Sequence, residues 1–457
     1  MNKSHLLLAL SLGLGLCAFG QGAQGWKAGV ARVKITPEKP IWLAGYALRD
    51  HVFEGVRQDI WAKALALEDR DGNVGVIVTM DLCFIPRAMS LEIKADIERK
   101  HGLKPGQVIL NASHTHSGPL ATLSKWVLFP LSDAEWEDVF AYTRRLIGDV
   151  SAVVGEALAK RETATVMTGG GTVRFAVNRR RNKESQLKTT TELVGPVDHA
   201  VPVLKVEDAK GALKAVLFGY ACHNTVLDEY LVCGDYAGYA QEEVERMHPG
   251  ATAMFFQGGG ADQNPLPRRK VSLAMQYGRE LAAAVEQTLA DGMSLREPVL
   301  VTKYAEATLA MEEPMSAETL ARHSKEDGWI GRVARTMASE FSKKTPGTEY
   351  PYPIHYWRVG DQKLFALGGE IVSGYSREIK KAHGDDAFVM GYCDDVMSYI
   401  PTPEMWDEGG YEVATAHLVY MLPAPWRRDV TKRILDAVDR LVAEDGQAGC
   451  CTKAKQP

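Results

Sequence analysis

Apolar residues recur along this chain in two rhythms. One returns every three or four positions, the spacing that lines up one face of a helix. It predicts helices over Ala88–Lys100, Asp133–Lys160, Tyr239–Met247, Val271–Leu289 and Asp429–Ala443. Ser132, with Glu135 three residues on, reads as the N-cap of the second helix in a capping box. The other rhythm is a short unbroken apolar run, which reads as a strand. Such runs cover Val74–Met80, Val108–Leu110, Ala215–Tyr220, Ala253–Phe256, Leu364–Leu367 and Phe388–Met390. After each run the apolar sequence stops, and small or titratable residues take over. Asp81 follows the first, His114 and His116 the second, and His223 the third. A glycine run with Asp262 follows the fourth, Glu370 the fifth, and Asp394, Asp395 and Tyr399 the sixth. Open α/β sheets place their sites outside the carboxyl ends of strands. Loops are polar in any case, which accounts for one such end but not for the bias toward His, Asp and Glu. The pattern predicts an α/β protein with its chemistry at the strand ends.

Composition narrows the class of partner. The 457 residues suffice for one large domain or two to three ordinary ones. The net charge is −5, and the longest basic run is Arg179-Arg180-Arg181, so there is no footprint for nucleic acid. Lys3, the apolar run Leu6–Phe19 and the small residues Ala18, Gly20, Gly22 and Ala23 have the order of a secretory signal. The run is too short to span a bilayer, and no other stretch looks transmembrane. Leu16 is bulky for a lipoprotein site at Cys17, so simple cleavage is expected between residues 20 and 25. The expected layout is a signal peptide over 1–24, one catalytic domain over 25–445 and a polar tail over 446–457, in an exported protein, periplasmic or secreted. Beyond Cys17, Cys450 and Cys451 are adjacent in the tail, Cys222 and Cys233 could bridge, and Cys83 and Cys393 read as buried thiols. No Cys-x-x-Cys pair argues for a thiolate metal site.

The sharpest local signal is Ser113-His114-Thr115-His116-Ser117-Gly118-Pro119. In an extended segment, two histidines one residue apart turn to the same side and present two neutral nitrogens to one cation. Imidazole suits zinc, and a catalytic zinc keeps one position open. A His-x-His pair also arises from packing. Taken alone, His223 reads equally as a satisfied structural histidine. Glu370, behind Gly368-Gly369, reads alone as a helix cap.

Together these motifs resemble the neutral, non-lysosomal ceramidases. That family has a histidine pair followed by Ser-Gly-Pro, then a strand ending in one histidine and a Gly-Asp-x-x-Gly-Tyr stretch, here Gly234–Tyr239. It has a Gly-Glu junction, here Gly369-Glu370, and a Tyr with a Thr-containing turn before a Tyr-Glu pair, here Tyr399–Thr402 and Tyr411-Glu412. Gly45-Tyr46-Ala47, Asp81-Leu82 and Gly195–Asp198 also match, in the family's order. The resemblance implies a mixed β-sheet core with flanking helices and a single zinc ion. His114, His223, Glu370 and Tyr399 would be its ligands, with His116 beside the metal. Mixed imidazole and carboxylate donors suit zinc. A tyrosine ligand is unusual, and Tyr399 reads also as a core tyrosine.

Two departures stand out. The family carries Gly-Asp-x-Ser-Pro-Asn at its nucleophile; this chain reads Gly260-Ala261-Asp262-Gln263-Asn264-Pro265. If Asp262 and Pro265 keep register, Asn264 replaces the serine. Asn cannot attack, but it can donate an N–H to a developing oxyanion. The nucleophile would then be water activated by the metal, with Asp81 or His116 taking its proton and Tyr411 attending the leaving group. The family also continues into a β-rich C-terminal domain, whereas this chain runs some 45 residues beyond Glu412, which leaves the lipid substrate open. Arg179 could grip a substrate anion through its planar fork; a solvated cluster with Arg180 and Arg181 accounts for it as well. Arg268 and Arg269 read either as pocket lining or as a surface loop. Trp126, Phe129 and Trp136 read as a substrate wall or as core.

Three readings follow. The first is a zinc hydrolase cleaving the amide of a ceramide or other N-acyl compound. The second is a zinc hydrolase or lyase acting on a carbohydrate or other small polar substrate. The third is a non-catalytic binding protein. A long apolar groove would favour the lipid; a pocket of Arg, Asp and Trp would favour the polar substrate.

Overall fold

The structure, a computed structural model, describes residues 25–453. The expected signal segment and the side chains of Cys450 and Cys451 lie outside the described residues. The larger sheet contains, in chain order, β1 (Trp26–Lys34), β2 (Trp61–Glu68), β3 (Val74–Met80), β4 (Val108–Ala112), β5 (Glu162–Thr172), β6 (Ala200–Asp208), β7 (Leu213–Tyr220) and β8 (Thr252–Gln257). Their spatial order is β8-β7-β6-β5-β1-β2-β3-β4, and the short strand Ser294–Leu295 pairs with β5 as the ninth member. The interior pairs are antiparallel; each edge is a parallel pair, β7 with β8 and β3 with β4. A second sheet holds β9 (Leu300–Ala310), β10 (Glu349–Val359), β11 (Gln362–Leu367) and β12 (Phe388–Met390), with β12 parallel to β11.

Alternation along the unbroken apolar runs explains the layering, because successive side chains leave opposite faces of a strand. Val76, Val78 and Met80 of β3 join a core with α1 (Arg87–His101) and α2 (Asp133–Ala159). Ile77 points the other way, into the core between the two sheets. On the far half, Ala253 and Phe255 of β8 pack with α3 (Asp235–Met247) and α4 (Val271–Ala290), while Met254 and Phe256 face the second sheet. Burying each such large side chain stabilises the fold by about 1.5–3 kcal/mol. A Cβ at Gly219 would sit 2.2 Å from the Phe256 ring, so glycine is required for that contact. The outer face of the second sheet is covered by α5 (Ser373–His383) and α6 (Val430–Lys453). The result is a mixed α/β fold of four layers, helix on sheet on sheet on helix, as the resemblance implied.

Ser132 caps α2, and the box with Glu135 is complete. α3 starts earlier than its apolar spacing predicts, since Asp235 to Gly238 is helical despite its glycine. α6 continues to Lys453, into residues read from sequence as a tail. Cys222 and Cys233 are separate buried thiols rather than a bridge, as are Cys83 and Cys393. Among the described residues no helix is long and apolar enough to cross a membrane.

The two edges of the large sheet are tied together. Asn111 at the end of β4 accepts from Gln257 N of β8 at 3.0 Å and donates to Gly391 O beyond β12 at 2.7 Å. The carboxyl ends of β4, β8 and β12 thereby meet.

Candidate metal centre

Beyond β4 the chain turns sharply at His114, whose φ of 62° lies in the left-handed region. The segment is therefore not extended, and the kink rather than strand alternation sets the His114 and His116 rings 4.7 Å apart. His114 Nδ1 donates to Cys83 O at 2.6 Å, and His223 Nδ1, just past β7, donates to Gly260 O at 2.9 Å. Those bonds fix the tautomers, so both Nε2 atoms turn lone pairs inward. Glu370, at the β11 end, places Oε2 3.3 Å from His114 Nε2 and 3.4 Å from His223 Nε2. Tyr399 Oη lies 3.3 Å from His223 Nε2, and His116 Nε2 lies 3.2 Å from His114 Nε2. All of these side chains are buried.

Two imidazole Nε2 atoms converging on a carboxylate oxygen need a positive charge between them, carried by a proton or by a cation. The spacing fits one: a tetrahedral zinc with bonds of about 2.0–2.1 Å spaces its ligand atoms about 3.3 Å apart. The inward atoms of His114, His223 and Glu370 all lie within 4.8 Å of one another. Electrostatics agree. Burial pulls His114 down, but the Glu370 carboxylate outweighs it and pushes the imidazole up to about 10. Burial, then the charge on Arg179, lowers His223 to about 4. Burial, then the charges on His114 and His223, holds His116 well below its usual value. Burial opposes ionisation of Glu370, yet His114 keeps its carboxyl well below the usual range. The group thus supports one positive charge at its centre, held by a proton on His114 that a bound cation would displace.

The surroundings hold these side chains in place. Tyr420 Oη donates to Glu370 Oε1, and Tyr392 Oη donates to Oε2 at 3.3 Å. Gly45, at φ 92°, leaves room for His116; a Cβ there would lie 2.4 Å from the imidazole Cγ. Arg179 sets Nη1 3.4 Å from His223 Nε2 and bonds Glu412 at 2.9 Å.

A cavity of about 1110 Å³ opens onto His116, His223 and Tyr399. Asn264 lines it from the short strand Gln263–Pro265; it is 7% exposed, and its Oδ1 has no partner among the described residues. Tyr411 stands at the rim, its ring 5.4 Å from Tyr399. Two predicted site residues lie elsewhere. Asp262 is committed to Ser373 N at 2.7 Å and Ser373 Oγ at 2.8 Å, anchoring the start of α5. Asp81 accepts from Trp61 N at 2.9 Å and Gln241 Nε2 at 3.2 Å and does not line the cavity. Arg179 and Arg180 are not a solvated cluster: both are mostly buried and share Glu412. Arg268 lines the cavity, whereas Arg269 pairs with Asp228 outside it. Phe129 and Trp136 are core, and Trp126 packs on Phe84 and Tyr420. Tyr392 and Tyr420 escaped the sequence reading. Tyr392 follows β12 directly, so the strand-end pattern could have found it; Tyr420 has no local signal.

A layered α/β protein with a buried centre of two imidazoles, a carboxylate and a phenol is the class that fold and site define. The chain belongs to the neutral/alkaline non-lysosomal ceramidase family, whose N-terminal domain model matches residues 26–294. It is 27% identical over 256 residues to the neutral ceramidase of Pseudomonas aeruginosa, covering 52% of this chain and 37% of that protein. It is 24% identical over 226 residues to neutral ceramidase A of Dictyostelium discoideum, covering 46% and 30%. The chain thus spans about a third of the length of these relatives. The crystal structure of neutral ceramidase from Pseudomonas aeruginosa superposes with a TM-score of 0.68 at 20% identity, covering 89% of this chain and 72% of that one, which shows the shared fold.

Proposed function

We propose that this chain is an exported, zinc-dependent hydrolase that cleaves the amide bond of an N-acyl compound, using one metal ion. The observation that carries the reading is the set of inward donor atoms on His114, His223, Glu370 and Tyr399, spaced 3.3 to 3.4 Å along their close contacts. Family membership supports the reaction class. When bound, zinc supplies Lewis-acid polarisation of a carbonyl and acidifies a water. His116 stands beside the ligands, with Nδ1 lacking a partner among the described residues and Nε2 facing the centre. It takes the proton of the attacking water and returns it to the leaving nitrogen. Water and amide become carboxylate and amine. Asn264 lines the cavity, and its amide N–H donates to the carbonyl oxygen as charge develops there. Tyr411, at the rim, orients the leaving group.

Metal analysis and turnover of the purified mature chain test this directly. One zinc per chain, activity lost on chelation and restored by zinc, is the expected result. The Asn264→Ala variant should retain zinc while losing about 10²–10³ in kcat. A chain that neither holds nor takes up zinc would make it a non-catalytic relative.

The lining of the cavity favours a polar substrate within this reading. Besides Tyr46, Tyr399 and Tyr411, its apolar side chains are Ala47 and Leu266 alone among the described residues. The alkyl chains of a ceramide call for an apolar groove.

A further inference from the structure

The lining charges of the cavity are unequal. Five basic residues, Arg179 to Arg181, Lys183 and Arg268, face three acidic ones, Glu184, Glu408 and Glu412. Each acid is already committed. Glu412 binds Arg179 and Arg180, Glu408 binds Arg180 and Arg181, and Glu184 binds Arg268. Arg179 and Arg180 use their terminal nitrogens in these bonds. Arg268 differs. Its Nε donates to Glu184 Oε2 at 2.8 Å, which orients the guanidinium, and its two terminal nitrogens have no partner among the described residues. Its side chain is only 17% exposed. A fork held by its stem, with both outer nitrogens free, matches a carboxylate or similar anion in two parallel bonds. Asn264 lies four residues before it and lines the same cavity. A second cavity of about 720 Å³ lies next door, lined by Val372, Met405 and Leu435 among charged residues such as Arg377, Glu404 and Lys432. The Arg180–Glu408 pair borders both cavities.

We infer that the substrate is a compact N-acyl compound carrying an anion, and that Arg268 is the residue that selects it. The inference rests on the hydrolase reading for its chemistry, but not for its binding site.

The zinc-loaded chain is assayed against N-acetyl and N-dodecanoyl amino acids, the matching neutral carboxamides, N-succinyl alkylamines and an N-acyl sphingosine. The succinyl arm places the anion on the acyl side and the amino acid arm on the amine side. At least one anionic amide should exceed its neutral counterpart tenfold or more in kcat/KM and exceed the sphingosine amide. Arg268→Gln should raise KM for that anionic amide by about ten- to a hundredfold, the range for a lost charged hydrogen-bond pair. It should change kcat less than threefold and leave the neutral amide unaltered, while Arg268→Lys recovers part of the loss. Calorimetric binding of the same anionic amide to the zinc-free protein needs no turnover and should weaken by the same factor in Arg268→Gln. Preference for the neutral amide, or equal loss on both, overturns the anion site and leaves the hydrolase standing. Arg268-dependent binding without hydrolysis of any amide supports the anion site and overturns the hydrolase.

Discussion

The segment between Gly391 and Tyr399 serves two buried clusters of histidine and carboxylate, and their electrostatics are opposite. In the first, Asp394 lies between Lys94 Nζ at 2.5 Å and His355 Nε2 at 2.6 Å and accepts from Leu110 N at 3.1 Å. Burial alone would raise this carboxyl, but Lys94 and then His355 pull it down to about 2. One anion is surrounded by donors, so the group neutralises itself. In the second, His114 and His223 donate through Nδ1 to the carbonyls of Cys83 and Gly260. Their remaining lone pairs then point at Glu370. Burial is alike; what differs is that the first cluster holds an ammonium, Lys94, and directs an imidazole nitrogen at its carboxylate as a donor. An ion-pair network closes on itself, whereas a ligand shell aims acceptors at one point.

Breaking each cluster should give different failures. Glu370→Gln should lose bound zinc and at least about 10³ in turnover, read by metal content and rate, while the fold persists by circular dichroism. Full zinc occupancy in that variant would place the ion elsewhere. Lys94→Met should do the reverse, costing about 3–5 kcal/mol in denaturant unfolding because Asp394 loses its cation, with zinc content unaltered. A smaller effect is expected from Tyr420→Phe, which frees Glu370 Oε1. Zinc affinity should fall about 10–100-fold, measured by competition with a chelator.

The smallest effect separates two neighbouring aspartates by pH. Asp394 is lowered in the folded state, so its stabilisation is present above its unfolded value near 3.8 and lost as pH falls toward 2. Asp395 is raised to about 7, chiefly by burial. The folded state then holds a proton that the unfolded state releases, so stability from this group is present below about 3.8 and lost as pH rises through 7. Asp395→Asn should therefore unfold at higher denaturant than the parent at pH 8 and at nearly the same concentration at pH 4. A pH-independent difference would contradict the burial account.

Much of this was legible from local pattern. The strands β3 and β12 match their apolar runs end to end, and α1, α2 and α4 fall within a residue of the predicted helices. The centre was legible too, because His114, His223 and Glu370 each follow a strand, and the family motifs group them. The long strands β5, β6, β9 and β10 went unread. They carry polar residues among the apolar ones, as in Glu162-Thr163-Ala164-Thr165 of β5, so no unbroken run marks them. Asp262 and Asp81 were placed in the site by their positions in the family's motifs; their carboxylates accept from backbone N–H groups instead.

Residue types, their order and their periodicity determined which segments become helix or strand and which histidines and acids stand at strand ends, since these depend on neighbours along the chain. Only the tertiary structure decided that Tyr420 holds Glu370, that Arg179 and Arg180 share Glu412, and that Arg268 is left with free donors. Those outcomes depend on which distant carbonyl, carboxylate or phenol arrives within hydrogen-bond reach, and no periodicity in the sequence encodes that distance.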